Sequence, residues 1–367
     1  MVLLTGAAAS LLSGCGGNPP PAPSPVSTAV PHTPTSRPAP GLGISVQGAV
    51  PLGTAPIVDL TMWSHYVAWA REGGPNLVPL SIEVFDTQTG KTRTLVANSS
   101  ATQEVSAVQG DGDLVVYTEA NPTDESHTTW RIHLISLTQG SNRVLAQSSA
   151  GVPIPFVPQV ALGGTCLAWS EPSATAAEGG AARLVIYDAA TSARRVVPGV
   201  QNPDSVNIDS GSIYFAADDA AGRDGFTVPC TGSPAVKQLT TSGKVSQLSA
   251  RGGVLAWQQP LQGDPDSIWA ETVGGAAPGT PVQLTNVGNQ GDVIAGKGVV
   301  AWLDRDGQLT VRDAAGRFPA VPLPHQDHLS IPARWSFLDA TVAWVNGEGS
   351  GGDQLVLYRA TAAVGAG

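Results

Sequence analysis

Cationic side chains are scarce in this chain: Lys and Arg together number 19 among 367 residues, against 29 Asp and Glu, for a formal net charge of −10. A surface so short of cations cannot neutralise a run of phosphates, so nucleic acid is excluded as an expected partner. Beyond the N-terminus no apolar run reaches 18 residues, which excludes a multi-span helical membrane protein. Cysteine occurs only at Cys15, Cys166 and Cys230, with no CxxC pair and no Cys/His cluster at zinc spacing, so no metal is expected. G-x-S-x-G, H-E-x-x-H and glycine-rich phosphate loops are absent, and the scattered His, Ser and Asp form no triad by spacing; no catalytic residue and no cofactor is expected. What the chain has in quantity is turn chemistry, with 43 Gly and 30 Pro beside 42% hydrophobic residues. That mixture fits many short strands joined by tight turns.

Residues 1–14 are apolar and lead into Leu12-Ser13-Gly14-Cys15. Small residues immediately before a Cys at the end of a hydrophobic segment resemble the bacterial lipobox, in which the Cys is lipidated and the preceding residues are removed. The resemblance implies a signal peptide over 1–14 and a lipid anchor at Cys15, with localisation at the extracytoplasmic face of the cell membrane. No Lys or Arg precedes Cys15, so the charged n-region of an export signal is missing, and the natural start is expected upstream of Met1. Nine of the 25 residues from 16 to 40 are Pro. Such a segment buries no core; residues 15–41 are read as a lipidated Cys followed by an extended tether of roughly 70 to 80 Å at most. Cys166 and Cys230 fall in different repeats and in strand-like runs, and are expected to be buried free thiols, with a disulfide as the alternative.

From residue 57 onward a strand ending in a small residue and an aromatic recurs. Its copies are Tyr66-Val67-Ala68-Trp69, Leu114-Val115-Val116-Tyr117, Cys166-Leu167-Ala168-Trp169, Ser212-Ile213-Tyr214-Phe215, Val254-Leu255-Ala256-Trp257, Val299-Val300-Ala301-Trp302 and Thr341-Val342-Ala343-Trp344. The aromatic positions lie 42 to 52 residues apart, about 46 on average. Each copy is followed by a second alternating run, such as Leu80 to Asp86 or Gln308 to Asp313, and then by a polar turn such as Asp86-Thr87-Gln88-Thr89-Gly90. A short third run follows (Thr92 to Val96, Lys237 to Thr241), and one more short run precedes each aromatic strand. Four strands per unit at this period predict the blades of an all-β propeller, a single domain over 42–367. Seven blades are counted, with six or eight left open should a weak unit be miscounted.

The pattern V-A-W, then L-x-I-Y-D-x-x-T-G, then x-L-T resembles the repeats of TolB-like and related cell-surface β-propellers over about residues 44 to 361. The resemblance implies fold more than activity, because such blades serve unrelated roles. The seventh unit supplies three strands and stops near Ala360, while Ile44 to Val50 is a strand-like segment without a blade of its own. The expectation is that this segment becomes the fourth strand of the last blade.

Trp69, Trp169, Trp257, Trp302 and Trp344 each follow Val-Ala or Leu-Ala, a fixed place that argues for packing between blades over ligand contact. On the innermost strands, Asp59, Ala107, Gln159, Ser205, Gln247, Asp292 and Arg334 form a column predicted to line the central channel, polar in all but one place. Asp59, Gln159, Ser205, Gln247, Asp292 and Arg334 are therefore the candidate ligand site, set against a merely water-filled channel. His325-Gln326-Asp327-His328 is read as a surface loop, and Asp304-Arg305-Asp306-Gly307 as a hairpin turn lacking the remaining acids of a calcium loop. The long loops Ala70 to Pro79 and Ser170 to Ala182 mark one rim as a protein-binding surface. The functional expectation is a monomeric, membrane-anchored propeller that binds an envelope or membrane protein or a cell-wall glycan. The alternative is an exported hydrolase or lyase using Asp59, Asp292 and Arg334, and a third reading is a sensor or assembly accessory of a membrane complex.

Overall fold

A computed structural model describes residues 41–53, 57–73, 78–98, 103–121, 129–148, 157–172, 182–261, 264–273, 279–285, 293–304, 307–323, 335–348 and 352–362. The signal segment, Cys15 and the Pro-rich tether lie outside them, as does His325 to His328. Every regular element among the described residues is a β-strand, arranged as seven four-stranded sheets whose strands pair antiparallel with their neighbours. The protein is a seven-bladed β-propeller.

Six blades follow chain order from an innermost to an outermost strand. Blade 1, for instance, runs Ile57–Trp63, Tyr66–Gly73, Val78–Asp86 and Lys91–Ala97. The seventh is composite: Trp335–Leu338, Thr341–Glu348 and Gly352–Ala362 are completed by Leu42–Gly53 from the other end of the chain. The register runs from Leu42 opposite Ala362 to Gly53 opposite Asp353, and Ile44 to Val50 sits within it as expected. The outermost edge of that blade is thereby closed by twelve residues of the chain's own N-terminal strand.

The recurrent aromatic lies within the second strand, which runs on past Trp69 to Gly73 and past Trp257 to Leu261, and it packs against the preceding blade. Trp169 lies in a cluster with Val116 and Leu134 of blade 2, Phe215 with Leu184 and Ile186 of blade 3, Trp257 with Tyr214 of blade 4, and Trp302 with Val254 and Ile268 of blade 5. Burying an indole costs its N–H unless a partner is supplied. The partner recurs on the same blade: Trp69 Nε1 donates to Glu83 Oε2 (3.2 Å), Trp169 Nε1 to Glu171 Oε2 (3.1 Å) and Trp257 Nε1 to Gln259 Oε1 (3.1 Å). Arg71 then pairs with Glu83, and Arg183 and Arg194 with Glu171. The side chain of Trp344 is not among those described.

Arginines on the outer strands of blades 1, 2 and 3 tie each of them to the blade that follows. Arg93 donates to Leu137 O, Arg143 to Ala189 O, and Arg195 to Pro229 O, Cys230 O and Gly232 O. The blades also approach closely. A Cβ on Gly110 would sit 2.3 Å from the indole of Trp63, whose Nε1 donates to Gly112 O across the same junction.

Two sequence expectations need correction. Cys166 and Cys230 are not free thiols but a disulfide, with Cα atoms 5.9 Å apart. Cys166 opens the second strand of blade 3 and Cys230 comes just after the third strand of blade 4. Consecutive units of a ring stack face to face, so residues 64 apart in the chain fall in one buried cluster. The outer strand of blade 4 is also shorter than the run Lys237 to Thr241, since only Lys237–Gln238 pairs. Thr240 leaves the ladder because its hydroxyl bonds the buried Asp224 carboxylate and the N–H of Gly225.

Removing residues 42–50 is expected to lower the melting temperature on the order of 10 °C; a truncated ring melting within a degree or two of the full one would show that the composite blade does not hold it shut. Replacing Cys166 and Cys230 together by Ser is expected to cost about 4 kcal/mol in denaturant unfolding, the entropy of releasing a loop of this length.

Candidate functional site

On the innermost strands alternate side chains turn toward the central axis, and the described members of the polar column, Asp59, Ala107, Gln159, Ser205 and Gln247, stand at the first of three tiers. Two residues on come Thr61, Gln109, Ala161, Asn207, Ser249, Ile294 and Ser336; four residues on come Trp63, Asp111, Gly163, Asp209, Arg251, Gly296 and Leu338. The first tier marks the upper mouth, where the inner strands begin, and the third the lower mouth, where they end.

In three blades the first tier is a bulge. Asp59, Ala107 and Ser205 have φ of 54°, 52° and 51°, and the ladder shifts register between Val58 and Thr61, Ser106 and Gln109, and Asp204 and Asn207. A bulge re-aims the side chain it carries. Asp59 illustrates the result: its Oδ2 accepts the N–H of Ala107 at 3.0 Å, stitching blade 1 to blade 2. Burial pushes the Asp59 carboxyl above the ordinary value, and the bond from Ala107 only partly opposes that.

A cavity of about 600 Å³ opens at the upper mouth, lined from all seven blades. Its walls include Thr61, Gln109, Gln159, Ser205, Asn207, Gln247, Ser249 and Ser336, with Arg251 at its floor. One arc of this wall is committed to holding blades together. Gln247 Oε1 accepts the N–H of Val293 (3.0 Å), Ser249 Oγ that of Ala295 (3.0 Å), and Ser336 Oγ that of Met62 (3.1 Å). Blade 5 is joined to blade 6, and blade 7 to blade 1, in this way. The other arc, on blades 2, 3 and 4, presents the exposed amides of Gln109 and Gln159 and the half-buried side chains of Ser205 and Asn207.

Arg251 separates the two mouths. It leaves blade 5, crosses the axis and donates from Nη2 to Met62 O of blade 1 at 2.7 Å. Burial lowers its pKa from the ordinary value, while Asp111, Asp209 and Asp339 hold it up. A second cavity of about 550 Å³ lies beyond it, lined by Trp63, Asp111, Gly163, Asp209, Arg251 and Asp339 among others. Asp209 there accepts the N–H groups of Gly252 and Gly253 (both 3.0 Å), and Asp111 that of Gly164. The channel is thus two cups back to back with one guanidinium between them.

Of the residues singled out in the sequence, Gln159, Ser205 and Gln247 line the upper cavity, and Asp59 turns onto the Ala107 backbone. Asp292 and Arg334, like Cys15, lie outside the described residues. Asp304 caps a turn, accepting the N–H of Gln308 and the hydroxyl of Thr310. Among the described residues no three His, Cys, Asp or Glu side chains converge as a metal site. The wall residues the sequence reading passed over are Thr61, Gln109, Asn207, Ser249, Ser336 and Arg251; continuing the two-residue alternation down each inner strand would have found them.

No family model matches the chain, and no curated protein matches it in sequence. Its fold is shared with solved propellers. The β-propeller domain of the trilobed protease from Pyrococcus furiosus, described as having an open Velcro topology, superposes with a TM-score of 0.57 at 10% identity, over 86% of this chain and 97% of that one. An oligogalacturonate lyase from Vibrio parahaemolyticus gives 0.51 at 13% identity, over 88% and 98%. Acylaminoacyl peptidase from Pyrococcus horikoshii gives 0.57 at 11% identity over 85% of this chain, which spans only about half (52%) of the peptidase. At such identities the likeness is one of fold.

The raised pKa of Asp59 sets a sign. A carboxyl whose folded pKa lies above the ordinary 3.8 supports the fold below that value and loses its contribution as pH rises through the folded pKa. Asp59→Asn keeps an acceptor for Ala107 and suits the positive φ, so it is expected to raise the melting temperature at pH 7 by roughly 1 to 3 °C. The advantage should vanish below pH 4 in parallel melts; a variant that melts lower than wild type at pH 7 would contradict the assignment.

Proposed function

We propose that this chain is a monomeric, lipid-anchored propeller on the extracytoplasmic face of the cell membrane, a binding module for an envelope protein or a glycan. Cys15 carries the lipid in this reading, and the Pro-rich tether holds the ring off the bilayer. The observation that supports the placement most is the Cys166–Cys230 disulfide, since such bonds form and persist in oxidising compartments. Binding, rather than chemistry, is supported by the upper cavity, whose wall consists mainly of neutral hydroxyl and amide groups with no paired acid and base among the described residues. The alternative, an exported hydrolase or lyase, takes its appeal from the enzymes that share the fold, but it would draw on Asp59, whose carboxyl is taken up by the Ala107 N–H.

With the full chain and its native leader expressed in a bacterium, the protein is expected in the membrane fraction, with a diacylglyceryl thioether on Cys15 by mass spectrometry. Cys15→Ser should move it to the soluble extracytoplasmic fraction. An unmodified Cys15 in an already soluble protein would overturn the anchored reading.

A further inference from the structure

The two arcs of the upper cavity differ in a way that packing does not require. On blades 5 and 7 the wall's Gln247, Ser249 and Ser336 are spent on the backbone N–H groups of the next blade. On blades 2 and 3 they are not, and on blade 4 only in part. Gln159 has no hydrogen-bond partner among the described residues, and Gln109 meets only the Thr61 hydroxyl, at 3.5 Å. Asn207, which lines the cavity, spends its Nδ2 on Ser205 O and on Leu248 O of the next blade, and its Oδ1 has no partner among the described residues. From consecutive blades, Gln109 and Gln159 thus offer donors and acceptors, and Asn207 an acceptor, to one cavity.

From this asymmetry we propose that the upper cavity is a saccharide site, in which Gln109, Gln159 and Asn207 bind the hydroxyl and acetamido groups of a neutral sugar of one or two rings. The inference rests on the binding-module reading and names the ligand class. Amides match a hydroxyl or an acetamido group in both directions of hydrogen bonding, which a purely donating or purely accepting wall could not do. The volume, about 600 Å³, lies within the range of small-ligand sites and is far too small for a folded partner. Among the described residues no lining side chain is aromatic, so they offer no stacking platform for a nucleobase. Charge disfavours an anion: among the described lining residues Arg251 is the only cation, and Asp111, Asp209 and Asp339 already act on it.

The test uses the full chain in detergent with N-acetylglucosamine and its β-1,4-linked disaccharide as probes, and galacturonate and inorganic phosphate as charged comparators, read by saturation-transfer NMR and calorimetry. The neutral sugars are expected to bind, and Gln109→Ala with Gln159→Ala to weaken them about tenfold, as loss of two or three hydrogen bonds would. Both residues are exposed, so the melting temperature should be unchanged, and Ser210→Ala at the lower mouth should leave binding as it was. A channel that merely holds water would bind neither sugar. That result, preferential binding of galacturonate or phosphate, or sugar binding indifferent to the amide substitutions would each overturn the proposal. Each would leave the lipid on Cys15 untouched, so failure here is distinguishable from failure of the anchored-module reading.

Discussion

The structure depends on one backbone pairing, that of Leu42–Gly53 with Gly352–Ala362. A row of small sheets is unstable as an open arc because its end sheets expose unpaired edges and uncovered apolar faces. Once the first and last parts of the chain share a sheet, every blade has a neighbour on both sides. The interblade indoles, the arginines reaching from outer strands, and the hydrogen bonds around the axis then all find partners in a fixed geometry.

Within the ring, polar groups divide between holding and presenting. Ser249 and Ser336 sit one tier below Gln247 and serve backbone N–H groups, as does the bulged Asp59. Gln109 and Gln159, at comparable heights, stay exposed to the cavity. Because a buried backbone N–H left unpaired is costly, the committed side chains are constrained by stability and the uncommitted ones are available to a ligand. Arg251 belongs to both classes, as a strut between blades 5 and 1 and as the floor of the upper cup.

Much of the architecture was legible in the sequence because a propeller repeats its signals. Val-Ala-Trp at Val67 to Trp69 and again at Val342 to Trp344 marks the same strand in blades 1 and 7, and the orphan run Ile44 to Val50 implied its own place. The disulfide was not legible, because pairing Cys166 with Cys230 requires knowing that consecutive units lie face to face at those two strand ends. The channel was half legible. Alternation identified Gln159, Ser205 and Gln247, but it assumed unbroken strands, and the positive φ at Asp59 and Ser205 re-aims the side chains at these bulges. Arg251 was invisible as a functional residue, since its partner Met62 is 189 positions away in the chain.

The composite blade also orders events in time. Its two halves lie at opposite ends of the sequence, with Leu42 meeting Ala362. Six sheets can assemble as they emerge, while the seventh must wait for the final residues. The latch strand is made first and its mating strand last, so closure of the ring is the one step that no partly made chain can take.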